Sequence, residues 1–184
     1  ILAHAIAASP AVRLCGVECY EGSAAQCDNE HDTREVSALV RRILAVTQAC
    51  DTQHLFADEH ILLTAGGSSV FDLVVPLLQT RGLSRPVQGV LRSGCYITHD
   101  HTVYRRLLQL VEQREGLSSS LQAALEVWAM VQSVPEPGLA LLSCGRRDIS
   151  YDMALPTAQR FAPRGVRKLH DASAAPADWR ITAL

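Results

Sequence analysis

The sequence predicts an α/β protein in which parallel β/α units are followed by part of an antiparallel β domain. Two observations carry this prediction. Short apolar stretches rich in β-branched residues alternate three times with amphipathic stretches of helical period, the pattern of strand, crossover helix and parallel strand. After Gly116 the alternation stops, and two strand-like stretches meet at a Pro-Glu-Pro-Gly turn with no helix between them. Residues 1–117 are therefore assigned to the β/α part, a sheet or a barrel, and residues 118–184 to the start of the β domain.

Residues 1–8 open as a helix already in progress, with no capping Ser, Thr, Asp or Asn before them, and Ser9-Pro10 stops it. VRLCGVECY (12–20) has the content of a buried strand. A capping pattern at Asn29 or Asp32, with Glu35 three residues after the latter, then starts a long helix. That helix runs through Val36, Leu39, Val40, Ile43, Leu44 and Val46. The second unit is HILLT (60–64), the turn AGGSS, and a short helix VFDLVVPLLQTRG ended by Gly82. The third is PVQGVLRSG (86–94) and the helix HTVYRRLLQLVEQREG, which stops at Gly116. Beyond Asp152 the chain is loop-rich until WRITAL (179–184), which alternates like a strand. Both ends read as cut, so the sequence is expected to be a piece of a longer protein. A partial barrel leaves open strand edges, so the isolated chain is expected to associate or to be unstable.

Composition narrows the function. The chain has 184 residues, 17 basic against 19 acidic, and a net charge of -2. That balance gives no general attraction for nucleic acid, and the basic cluster at 164–168 is short. No apolar run approaches the roughly 20 residues of a membrane span. Cys15, Cys19, Cys27, Cys50, Cys95 and Cys144 show no CxxC pair, which fits thiols in a reducing compartment; the cytoplasm is the expected location. Lys168 is the single lysine, so chemistry needing a Schiff-base lysine has one candidate in this chain.

In parallel β/α architectures ligands bind on the loops at the carboxyl ends of the strands. Those loops are Tyr20-Glu21-Gly22-Ser23, Gly66-Gly67-Ser68-Ser69 and Arg92-Ser93-Gly94-Cys95-Tyr96. Two small-residue loops with hydroxyls near helix starts favour a phosphate group. With neither GxGxxG nor GxxxxGKS present, a dinucleotide or ATP is disfavoured, leaving a compact phosphate ester such as a sugar phosphate or pyridoxal phosphate. His99-Asp100-His101 could suggest a metal, but the spacing suits Asp100 as a helix cap better. Cys95 with His99 could suggest a thiol hydrolase, but a small residue on a packed turn explains the cysteine better. Trp128 and Trp179 are assigned to the β-domain core. Charge at Gly145-Arg146-Arg147-Asp148, followed by Tyr151-Asp152, reads as an ion-paired surface turn, the alternative being a loop that reaches the active site of a dimer partner.

Taken in order, GVECYEG, LTAGGSSVFDLV, VLRSGCYITHDH, LEVWAMVQSVPEPGLALLSCGRRDISYD and ADWRITAL resemble the D-serine dehydratase-like and D-threonine aldolase-like enzymes, in the branch labelled amino acid deaminase. The resemblance spans nearly the whole chain and is weakest over residues 23–31. It implies fold-type III pyridoxal phosphate enzymes, with an alanine-racemase-like (β/α) barrel followed by a β domain, working as a homodimer. It further implies cofactor contacts from Tyr20, from Gly66, Gly67 and Ser68 at the phosphate, and from Ser93, Gly94, Cys95 and Tyr96. The implied reaction is dehydration and deamination of a β-hydroxy D-amino acid such as D-serine. Retro-aldol cleavage of D-threonine is the nearest alternative. A non-catalytic pyridoxal phosphate carrier, or a folding or dimerisation segment, is the alternative of another class. No catalytic residue is assigned within the chain: the family's Schiff-base lysine would precede the region resembling Ile1, and Lys168 reads as a surface residue. The family's divalent metal, Zn or Mn, would be held by residues after Leu184. The resemblance therefore makes the chain a middle-to-late fragment that supplies a phosphate cradle.

Overall fold

Three short strands, β1 (Gly16–Glu18), β2 (Ile61–Ala65) and β3 (Val87–Leu91), lie parallel in that order with β2 in the middle. A computed structural model of the chain describes residues 1–67, 70–166 and 168–184. Val17 stands opposite Leu63, and Leu63 opposite Gly89. Parallel neighbours cannot be joined by a tight turn, and α2 (Asn29–Thr52) and α3 (Phe71–Leu78) make the crossovers. Along β2 the alternate residues Ile61, Leu63 and Ala65 are fully buried. They pack in one cluster with Val36 and Cys50 of α2 and Val74 and Leu77 of α3. Burying each large aliphatic side chain there contributes about 2 kcal/mol of transfer free energy.

The helix ends follow from their capping chemistry. A short helix α1 (Leu2–Ala7) precedes the sheet. The cap of α2 is Asp28, one residue earlier than expected, with its carboxylate accepting the His31 N–H at 2.8 Å. Asp32 cannot serve because it is buried, where it accepts the Gln26 N–H at 2.8 Å. A fourth helix, α4 (Val103–Glu115), buries Tyr104, Leu108 and Val111 against Phe71, and Gly116 ends it at φ +65°. From its last turn Arg114 forks onto Asp72 of α3 at 2.6 and 2.9 Å and reaches Asn29 of α2 at 2.8 Å. One guanidinium thus ties three helices through a largely buried bidentate pair. β1 is shorter than the expected strand over 12–20: only Gly16–Glu18 pair, with Leu62, Leu63 and Thr64 of β2.

The chain divides into two compact units, Ile1–Ala124 and Leu125–Leu184. The linking stretch before Leu125 belongs to the first: the Ala124 N–H donates to Thr98 O at 3.0 Å. The second unit holds the hairpin of β4 (Val131–Glu136) and β5 (Leu139–Leu142), closed at Gly138 with φ +85°, and the small ladder of β6 (Arg160–Phe161) with β7 (Ser173–Ala174). Its hairpin is as the Pro-Glu-Pro-Gly turn predicted, but shorter, and residues 118–130 are not a strand. Nor is WRITAL a strand: the Trp179 N–H donates to Pro176 O in a turn, and the Arg180 guanidinium folds back onto the Ala177 and Trp179 carbonyls. Neither tryptophan is in a core. Trp128 is 37% exposed under the Arg160 guanidinium, and Trp179 is 47% exposed beside Phe161.

Candidate functional site

The carboxyl ends of β1, β2 and β3 bring three loops together, and backbone chemistry knits them. Beyond β3 the Arg92 N–H donates to Ala65 O at 2.9 Å, and its guanidinium donates to Cys19 O and pairs with Glu18, each at 2.6 Å. Ser93 Oγ donates to Gly67 O at 3.3 Å. Glu21, wholly buried, turns inward from the first loop. Its Oε2 accepts the Gly66 N–H at 3.2 Å and its Oε1 accepts the Gly67 N–H.

The two glycines are required by this approach. Gly66 sits at φ +149°, and a Cβ there would meet Arg92 N at 2.4 Å; one at Gly67 would meet Glu21 Oε1 and Gly22 Cα at 2.9 Å. Tyr20 is 63% exposed and lays its phenol over Gly22, where an added Cβ would meet the hydroxyl oxygen at 2.4 Å. Of the residues singled out in the sequence, Gly66, Gly67 and Ser93 therefore meet, with Tyr20 at their edge. Ser68 lies outside the described residues. Gly94 has open space where a Cβ would be, and Cys95 and Tyr96 are exposed on the 3₁₀ turn Cys95–Ile97.

Sequence reasoning gave no role to Glu21 or Arg92, although both stand in the quoted loops. The available signal was one carboxylate and one guanidinium just beyond β1 and β3, the two strands that flank β2. His99 is the other surprise. It is 2% exposed at φ +50°, with both ring nitrogens lacking a hydrogen-bond partner, and stands edge-on to Tyr104 at 4.9 Å. Burial, with Cys95 nearby, pushes the Tyr104 phenol above its ordinary value. Burial also pushes the Cys19 thiol up, reinforced by the Glu21 and Glu18 carboxylates and opposed by Arg92, a shift that works against thiolate formation. An open depression along residues 78–87 lies on the α3–β3 connection, away from these loops.

Residues 124–184 match the family described as "Putative serine dehydratase domain". No curated protein matches the chain. The matched segment coincides with the second unit plus Ala124, whereas the three strand-end loops belong to the first.

The resemblance implies a pyridoxal phosphate group, and the donors on these loops are of a kind that could hold its phosphate. Two consecutive backbone N–H groups hold a carboxylate, so the Gly66–Gly67 pair is chemically able to receive an anion. For a metal the fit differs. Among the described residues no three His, Cys, Asp or Glu side chains converge, and no metal role is assigned to them.

Proposed function

We propose that this chain is part of a pyridoxal phosphate-dependent lyase that dehydrates and deaminates a β-hydroxy D-amino acid such as D-serine. The observation that carries the reading is the serine dehydratase match over residues 124–184. Support from the first unit is the set of parallel strand ends whose loops converge on an anion-holding amide pair. We take the parallel units as a wedge of a (β/α) barrel and the protein as a cytoplasmic homodimer. Among the described residues no helix is long and apolar enough to cross a membrane.

Bound pyridoxal phosphate supplies an electron sink for the substrate Cα. The chain's own residues bind and orient it. Gly66 and Gly67 offer N–H donors to the phosphate, and Ser93, held on Gly67 O, fixes the outer side of that loop. Tyr20 provides an exposed aromatic wall beside Gly22. Arg92 is spent on Glu18 and Cys19 O, so it shapes the loops and leaves the phosphate to backbone donors. Lys168, exposed in the second unit, takes no part.

The test is to titrate the chain with pyridoxal phosphate, followed by absorbance, then reduce with borohydride and map the product by mass spectrometry. The expected result is weak binding that inorganic phosphate competes away, with Lys168 unmodified. Stoichiometric modification of Lys168, or binding indifferent to inorganic phosphate, would overturn it.

A further inference from the structure

We infer that the Glu21 side chain is a displaceable internal anion that occupies the Gly66–Gly67 amide pair and sets how readily this loop takes a phosphate group. The inference rests on the proposal that the strand-end loops receive a phosphorylated ligand. Its starting point is an unusual burial. Glu21 is 0% exposed, and among the described residues no Lys, Arg or His forms an ion pair with it. A buried carboxylate without a cation is expensive unless hydrogen bonds compensate. Here the compensation comes from two successive backbone N–H groups, one to each oxygen, contributed by a loop 45 and 46 residues away.

The same two donors cannot serve a phosphate while the carboxylate holds them. They point at one position, the Arg92 guanidinium is engaged with Glu18 and Cys19 O, and two anions side by side in that buried spot would repel. Phosphate binding on this loop therefore requires Glu21 to leave. A route is built into the first loop. Glu21 is followed by Gly22, which begins the 3₁₀ turn Gly22–Ala24, and its outer neighbour Tyr20 is largely exposed. Rotating this turn outward would withdraw the carboxylate, and Ser93 could keep its bond to Gly67 O throughout. Glu21 is thus a positioning residue: with no ligand it holds the two loops in shape, and with a ligand it competes.

The experiment compares the wild-type chain with Glu21→Ala and Glu21→Gln, titrating each with inorganic phosphate and following backbone amide and side-chain carboxyl resonances by NMR. In the wild type the Gly66 and Gly67 amides and the Glu21 carboxyl carbon should move together along one binding curve. Glu21→Ala should bind phosphate at least tenfold tighter at the same amides, and Glu21→Gln should fall between. Phosphate binding that moves these amides while the Glu21 carboxyl carbon stays still overturns the inference, and that readout needs no variant to fold. Equal affinity in wild type and a folded Glu21→Ala overturns it too. Pyridoxal phosphate binding, measured separately, isolates the wider reading: tighter inorganic phosphate binding in Glu21→Ala with no pyridoxal phosphate binding in any chain would leave this inference standing and remove the cofactor assignment.

Discussion

Gly66 faces the backbone of Arg92 so closely that no side chain fits between them. A Cβ would stand 2.4 Å from Arg92 N, on a backbone with φ +149° that L residues rarely adopt. Gly66→Ala must therefore either twist the loop or push β3's exit away from β2. The expected cost is about 1–3 kcal/mol, the range for a residue held in a disfavoured conformation. A urea unfolding series on the full chain checks this, and an unchanged midpoint would show that the loop relaxes freely. At this scale the sequence was informative about backbone and silent about occupancy. A Gly-Gly pair at a strand end announces a close approach, and the reading of Gly66 and Gly67 as amide donors follows from it. Which anion they hold depends on Glu21, whose partners are 45 residues distant, and no local pattern encodes a contact at that separation.

The helix α4 shows how a single carboxylate starts an element. Asp100 accepts the Thr102 N–H and hydroxyl, each at 2.8 Å, and the Tyr104 N–H at 3.1 Å, so it satisfies donors that the first turn leaves open. Burial alone would push its carboxyl up, but the bonds from Thr102, Tyr104 and Val103 outweigh that and hold it below the ordinary value of 3.8. The folded value lies below the unfolded one, so the cap stabilises fully above the unfolded value and is lost as pH falls through the lower folded value. Asp100→Ala is expected to lower stability by about 1 kcal/mol at neutral pH, and the gap between variant and wild type should close in strong acid. Urea midpoints of both chains at the two conditions measure it; a gap that persists in acid would assign the effect to something other than the carboxylate. Asp100 was expected to cap a helix from His101; the helix starts two residues later, at Val103 with Thr102 in the N-cap position, and Asp100 reaches the first-turn donors from outside it, an interaction readable because it is local. For α2 the sequence offered Asn29 and Asp32 and the structure uses Asp28, since whether Asp32 faces inward is decided by tertiary packing. The same limit explains residues 118–130 and WRITAL: an alternating pattern makes a strand only where a neighbouring strand completes its ladder.

Across the whole chain, apolar burial is distributed very unevenly. Every buried hydrophobic residue among those described lies between Cys19 and Val111, so the core is entirely within Ile1–Ala124. In Leu125–Leu184 the hairpin of β4 and β5 exposes Val131, Val134, Leu139 and Leu141, and the second ladder pairs only two residues on each side. A two-stranded hairpin without a buried face is marginal in water, and its hydrogen bonds open without crossing the global unfolding barrier. The sequence could announce the change of architecture after Gly116, since turn chemistry and period are local; it could not announce that the second unit buries no hydrophobic side chain among the described residues, because a hydrophobic strand reads alike whether or not anything covers it. Hydrogen exchange on the full chain turns this asymmetry into a measurement. Amides of β2, paired on both sides and packed under α2 and α3, should exchange only through global unfolding, with protection that falls steeply in mild urea. Amides of β4 and β5 should exchange through local opening, orders of magnitude faster and insensitive to the same urea. Equal protection of β2 and the hairpin would mean that the second unit's apolar face is covered in solution, and the concentration dependence of that protection would then separate self-association from a fold that buries it within one chain.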